Sequence, residues 1–182
     1  MWRNSIRCLL PFLALAYFPG AEAKISLGEA GKLTFSLSVV AKGCEFEAAD
    51  LEVVMGKMML MKPVTVGRVI NEKNFVIELK DCDGISKAKV TMDGLPDTND
   101  NSLFALDAGG ATGIALQIVD GKGTKQIPKV AGGTAIEWPV NGTTTQLNYK
   151  ASYVVVNANA TSGHANACLL YTSPSPRDIS GS

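Results

Sequence analysis

The sequence predicts an all-β protein, an antiparallel sandwich of short strands. Apolar and polar residues alternate along much of the chain, the period of a strand with one buried face. Glycine and aspartate turn signals separate these runs, and no amphipathic helical stretch of useful length is present. Charged residues make up only 19% of the 182 residues and Gly contributes 18, which favours a β-rich exported domain over a helical cytosolic enzyme.

The first 23 residues have the three parts of a secretory signal peptide. Arg3 and Arg7 form the basic start, Cys8–Phe18 is apolar, and Ala21–Ala23 is an A-x-A cleavage site. The apolar stretch is too short for a membrane span, which needs about 20 residues. We therefore predict a signal peptide over residues 1–23 and export into an oxidising compartment.

Five runs carry the strand-like alternation, and each is bounded by turn residues. They are Leu33 to Val39, Phe75 to Leu79, Val90 to Met92, Ile114 to Ile118 and Leu147 to Val155. Pairs such as Asp83-Gly84, Asp120-Gly121 and Asn141-Gly142 lie between them. Short strands with frequent turns are typical of an immunoglobulin-like sandwich.

The composition excludes several functions. Basic and acidic residues balance at 17 each, which argues against a nucleic-acid partner. His164 is the single histidine, so a zinc site with two imidazoles cannot form. Asp97–Asn101 resembles the start of a calcium loop but lacks the Gly and Glu required further on, which favours a polar turn. We expect no enzyme, no catalytic residues, no metal and no cofactor.

Of the four cysteines, Cys8 lies in the predicted signal peptide and Cys168 in a C-terminal segment that is described below. We expect the remaining two, Cys44 and Cys82, to form a disulfide. On the chain-entropy model the link would contribute about 4 kcal/mol. A redox-active pair is disfavoured because the C-x-x-C spacing is missing. The Met-rich stretch 55–61 has two interpretations: a soft copper or partner surface, or the filling of an irregular gap in the core, which we favour.

The segment 168–182, beginning Cys-Leu-Leu-Tyr-Thr-Ser-Pro-Ser-Pro-Arg-Asp, looks like one reading frame of a sequencing-library adaptor. We interpret it as a non-native tail. The alternative is a genuine Pro/Ser-rich tail, which the composition permits.

Several ordered motifs together resemble a known family. They are Gly31-Lys-Leu33-Thr-Phe35 with Val39-Val40 and Cys44, Phe75-Val-Ile77-Glu-Leu79-Lys-Asp-Cys82, Val90-Thr-Met92-Asp-Gly94, Ala111-Thr-Gly113-Ile114-Ala115-Leu116-Gln-Ile118, and Leu147-Asn-Tyr149-Lys-Ala151-Ser-Tyr153. Over residues 31–167 the sequence resembles the chaperone–usher fimbrial subunits, the type 1 pilins.

The resemblance implies an incomplete immunoglobulin-like sandwich with an N-terminal donor-strand arm over 24–37 and a pilin domain over 38–167. A neighbour's arm fills the missing strand after a periplasmic chaperone has filled it temporarily. The implied partners are that chaperone, an outer-membrane usher and neighbouring subunits of a surface fimbrium that supports cell adhesion. The predicted donor-strand residues share one face of the arm: Leu27, Gly31, Leu33, Phe35 and Leu37.

Two alternatives stay open. Residues 31–40 could simply be the first strand of their own domain, and the protein could be a monomeric surface sandwich that binds glycan or protein through its loops. The family's closing strand should also follow Asn166-Ala167, where the adaptor-like segment stands. We therefore expect the chain to be a poor acceptor of a donated strand.

Overall fold

The computed structural model describes residues 24–26, 31–39, 44–48, 50–56 and 59–173, and it confirms the all-β prediction. These ranges hold twelve strands and one 3-10 turn at Lys129–Ala131. In chain order the strands are β1 (Lys24–Ser26), β2 (Gly31–Val39), β3 (Glu45–Phe46), β4 (Asp50–Gly56), β5 (Met59–Met61), β6 (Val69–Lys80), β7 (Lys87–Asp93), β8 (Ile114–Asp120), β9 (Lys125–Gln126), β10 (Ile136–Pro139), β11 (Thr145–Val155) and β12 (Ala167–Ser173). None of the described segments forms a helix that could cross a membrane.

Two five-stranded sheets make up the sandwich. The first has the strand order β10-β7-β12-β2-β4, and the second has the order β3-β6-β11-β8-β9. β1 and β5 form a separate antiparallel pair. Among the described strand pairs, β12 with β2 is the one that runs parallel.

The longest pairing, between β6 and β11, shows how the alternating pattern builds the sandwich. Phe75 and Ile77 of β6 lie opposite Tyr149 and Leu147 of β11, and all four side chains are buried. The rings of Phe75 and Tyr149 stack with their centroids 5.6 Å apart. Residues between them on β6 face solvent, so the period-2 pattern places one apolar face toward the other sheet.

The core lies between the two sheets and takes in the end of β4. The largest fully buried side chains are Tyr153, Phe104, Leu33, Leu60, Leu79, Met92, Leu103, Leu116 and Ile118. From the Met-rich stretch, the side chains of Met55 and Leu60 are each only 2% exposed. Burial of these two side chains agrees with the gap-filling interpretation, because a flexible thioether packs well against irregular apolar surface.

Two loop predictions agree with the structure. Cys44 and Cys82 form a disulfide, which joins the start of β3 to the end of β6. Asp97 accepts hydrogen bonds at Oδ1 from the backbone N–H groups of Asn99 (2.8 Å) and Asp100 (3.2 Å), so this segment is a polar turn. Within the described ranges, no three His, Cys, Asp or Glu side chains gather as metal ligands.

Candidate assembly groove

A groove in the first sheet lies between β4 and β12, and β2 fills it. β2 pairs antiparallel with β4, so that Thr34 lies opposite Glu52. On its other side β2 pairs parallel with β12, from Ala167 opposite Leu33 to Ser173 opposite Val39. Both ladders depend on β2, so its removal would leave a row of unpaired backbone groups on each side of the groove.

Leu33 anchors β2 in the groove. Its side chain is fully buried, and its partners in the two ladders, Val53 on β4 and Ala167 on β12, are buried as well. Moving a leucine from water into such a site contributes about 1.5–3 kcal/mol. Leu33 is therefore the described side chain of β2 through which the strand joins the hydrophobic core.

Gly31 occupies the narrow end of the groove, where no larger residue fits. A Cβ atom at this position would lie 2.1 Å from the Tyr153 hydroxyl oxygen and 2.5 Å from the Ala165 carbonyl oxygen. Tyr153 donates a hydrogen bond to that same carbonyl of Ala165. Because one of the two obstacles is backbone, the site requires glycine, and it fixes the register of β2.

Two polar contacts hold Lys32 between the neighbouring segments. Its backbone N–H donates to Oδ1 of Asn166, at 2.8 Å, just before β12. Its ammonium group lies 2.7 Å from a carboxylate oxygen of Glu52 on β4, and both side chains are about half exposed. Such an exposed ion pair contributes little to stability, so the backbone contact to Asn166 matters more for placing the strand.

Burial controls the protonation of the tyrosine at the narrow end. Removal from solvent raises the pKa of the Tyr153 hydroxyl well above its ordinary value of about 10. The hydroxyl therefore keeps its proton across the physiological range and remains a donor to Ala165. A neutral donor at this point satisfies a backbone carbonyl beside the inserted strand.

The structure places some of the predicted donor-strand residues in the groove. Gly31 and Leu33 are buried there. Phe35 and Leu37 also lie on β2, but the structure describes only their backbone and not their side chains. Leu27 also lies outside the described residues. Over 31–39 the strand pairs with β4 and β12 of the same chain, and both the arm boundary at 37 and donation to a neighbour stay predictions.

The sequence did not reveal how three residues shape the groove. Tyr153 and Asn166 belong to segments that carry the family resemblance, but the resemblance gave neither residue a contact with β2. Glu52 alternates with apolar neighbours on β4 in the manner of any solvent-facing position. Their roles depend on contacts with β2 and with Ala165, which no local pattern reports.

The final described strand crosses the predicted boundary at residue 168. β12 runs over Ala167–Ser173, and Leu169 is 1% exposed. The segment interpreted as adaptor-like thus forms a strand where the family's closing strand was expected, with buried Ala167 and Leu169 alternating with exposed Cys168. That the chain is a poor acceptor of a donated strand stays a prediction. Sequencing the source DNA beyond codon 167 tests the predicted origin of this segment.

The sandwich with a strand-filled groove defines a pilin-type subunit. The chain belongs to the fimbrial protein family, whose model matches residues 33–172. It is 56% identical to the probable fimbrial subunit LpfE of Escherichia coli O157:H7, over 84% of this chain and 87% of that protein. It is 44% identical to protein LpfE of Salmonella typhimurium strain LT2, over 93% of this chain and 97% of that protein.

A solved structure shows the same fold. The Burkholderia pseudomallei antigen and type I fimbria protein superposes with a TM-score of 0.52 and 27% identity, over 82% of this chain and 97% of that one. The family and the fold confirm the resemblance found in the sequence. The protein is a structural subunit of a surface fimbrium, and its family is one of structural subunits.

Proposed function

We propose that the subunit polymerises by donor-strand exchange, with the arm 24–37 of one copy entering the groove of the next. One observation carries the proposal: β2, near the amino end of the chain, completes the first sheet from between β4 and β12. Gly31 and Leu33 match the two features of the groove, a narrow end and an apolar site. A strand with this sequence fits the same groove when another molecule supplies it.

A periplasmic chaperone and an outer-membrane usher are the partners that this mode of assembly requires. An open groove exposes the edges of β4 and β12 together with apolar surface, and such edges aggregate unless they are covered. A chaperone that lends a strand would cover them until assembly, and the usher would order the exchange. Export by the signal peptide of residues 1–23 leads to the compartment where Cys44 and Cys82 can oxidise.

Polymers built in this way resist pulling forces, because each junction adds a ladder of backbone hydrogen bonds and buried apolar side chains. This role requires no catalysis. The fibre would support cell adhesion by holding its outer end away from the cell. A monomeric binding module for glycan or protein would need neither a donated strand nor a groove.

Substitution at the anchor of the arm tests the proposal. We expect Leu33→Asp to abolish incorporation into fimbriae, because a carboxylate cannot enter the site that Leu33 fills. Val54→Asp is the matched control, since Val54 is 52% exposed on the neighbouring strand. Both variants are expressed in a bacterium that assembles fimbriae from this subunit, and the sheared surface fraction is probed by immunoblot and electron microscopy. Incorporation of Leu33→Asp at the level of Val54→Asp would contradict donation of this strand, whereas absence of the unsubstituted protein from the fimbrial fraction would favour the binding module.

A further inference from the structure

We infer that the subunit caps its own groove: β2 is the resident occupant, and it must leave before a strand from another molecule can enter. The inference rests on the proposed function, since it concerns control of the same groove. The strand order shows the starting point, with β2 of the chain itself seated between β4 and β12.

The cap is a specific contact along both sides of the groove. Leu33 is fully buried, Gly31 lies against the Tyr153 hydroxyl, and the Lys32 backbone donates to Asn166. These are the features that any incoming strand would have to match. Because β2 already makes these contacts, no second strand can enter the groove while β2 is seated.

A second contact holds the arm against the body upstream of β2. β1 pairs antiparallel with β5 through three residue pairs, from Lys24 opposite Met61 to Ser26 opposite Met59. The amino-terminal segment is thus held at two places, in the groove and on β5. Release of the arm for donation requires both contacts to open.

The covalent connection favours the cap over a free competitor. Only residues 40–43 lie between Val39 of β2 and the disulfide-bonded Cys44. A short linker holds a segment near its site at an effective concentration on the order of millimolar. The parallel pairing with β12 is the weaker kind of ladder per residue, which leaves room for another strand to displace it.

The capped state can be locked by a cross-link. Thr34 and Glu52 lie opposite each other on adjacent antiparallel strands, where Cα atoms are about 4.5–5.5 Å apart, within reach of a disulfide. The double variant Thr34→Cys, Glu52→Cys is made with Cys168→Ser, because Cys168 pairs with Thr34 on the other side. The control pair is Thr34→Cys with Lys89→Cys, since β12 separates the two strands by about 9–10 Å. The control pair and the single variants also carry Cys168→Ser, so that Thr34→Cys has no native thiol opposite it.

The measurement has two readouts, the internal cross-link by peptide mapping of the monomer and incorporation into surface fimbriae. We expect the double variant to form the 34–52 link and to lose at least tenfold in incorporation, while the control pair and the single variants form no link and assemble. If no internal link forms while the single variants assemble, the cap is overturned and the proposed function stands. Assembly of the linked double variant at the control level would also overturn the cap.

Two further outcomes complete the test. If the 34–52 link forms but none of the single variants assembles, the cap stands and donor-strand exchange fails. If the double variant does not fold, Thr34→Cys with the native Cys168 locks β2 to β12 in its place, because these two positions are partners in the parallel ladder. A mapped 34–168 link supports the cap, and its absence in folded protein argues against it.

Discussion

The hydroxyl of Tyr153 occupies the space that a side chain at Gly31 would need. An ideal Cβ built on Gly31 lies 2.1 Å from that oxygen, and the Ala165 carbonyl that accepts its hydrogen bond lies 2.5 Å from the same Cβ. The tyrosine comes from β11 of the second sheet, whereas the glycine comes from β2 of the first. One residue thus reaches across the sandwich and sets where the inserted strand begins.

Replacing Gly31 by alanine is expected to destabilise the seated strand by about 1–3 kcal/mol, as overpacking does in a tight core. Equilibrium urea unfolding measures the change. Gly121→Ala is the control, because its nearest contact would be the Asn148 carbonyl oxygen at an ordinary 3.5 Å. Equal stability of Gly31→Ala and the wild type would mean that β2 does not sit against Tyr153.

Truncation of the anchor tests the burial directly. Leu33→Ala is expected to lower the free energy of unfolding by about 2–5 kcal/mol, since the lost methyl groups leave a cavity between the sheets. Val54→Ala, on an exposed position of β4, should change it by less than about 0.5 kcal/mol. Urea unfolding of both variants measures the loss of global stability. Hydrogen exchange on the β12 amides shows separately whether β2 is released locally while the rest of the domain stays folded. Similar values for the two substitutions would contradict the assignment of Leu33 to the core.

Removal of the disulfide is expected to cost about 4 kcal/mol on the chain-entropy model, given the 38-residue separation of its cysteines. The double variant Cys44→Ser, Cys82→Ser is compared with Cys168→Ser, which removes an exposed free thiol. Thermal and urea unfolding report the difference. A double variant as stable as Cys168→Ser would show that the bond does not constrain the unfolded chain as this model requires.

Alkaline pH is expected to weaken the fold through Tyr149. Burial raises the pKa of its hydroxyl, to which Trp138 Nε1 donates a hydrogen bond at 3.0 Å. Below about pH 10 both folded and unfolded chains keep this proton, and the stability is fully present. At higher pH the unfolded chain loses the proton first, so the free energy of unfolding falls.

The comparison for this pH effect is Tyr149→Phe, which lacks the titrating group. Urea unfolding at about pH 8 and pH 10.5 should show a smaller alkaline loss in the variant than in the wild type, because lysine titration is common to both. Identical losses would assign the effect to other groups.

The sandwich could be predicted from the sequence because its strands are indicated by patterns within short stretches of the chain. Alternation in Phe75 to Leu79 and in Leu147 to Val155 predicts strands with one buried face, and these became the longest pairing of the second sheet. The pairing of Cys44 with Cys82 followed from export and an even count. The family resemblance added the arm and the partners.

The architecture of the groove could not be predicted in the same way. Nothing in the run Gly31 to Val39 tells whether it completes its own sheet or a neighbour's, since both use the same alternating face. The Tyr153–Ala165 hydrogen bond and the Lys32–Asn166 contact join segments that are distant in sequence or separated by turns. β12 was not predicted from residues 168–173, because the adaptor-like interpretation set that segment apart from the fold, although Ala167 and Leu169 alternate as a strand requires.

β4 forms the outer border of the first sheet, with β2 as its one partner among the described strands. Two acidic side chains, Asp50 and Glu52, project from this border into solvent. If two such borders met side by side in antiparallel fashion, carboxylates of like sign would be brought together, which is unfavourable. Lys32 offsets the charge of Glu52, so the repulsion rests mainly on Asp50, and it disfavours direct pairing of the β4 strands of two subunits.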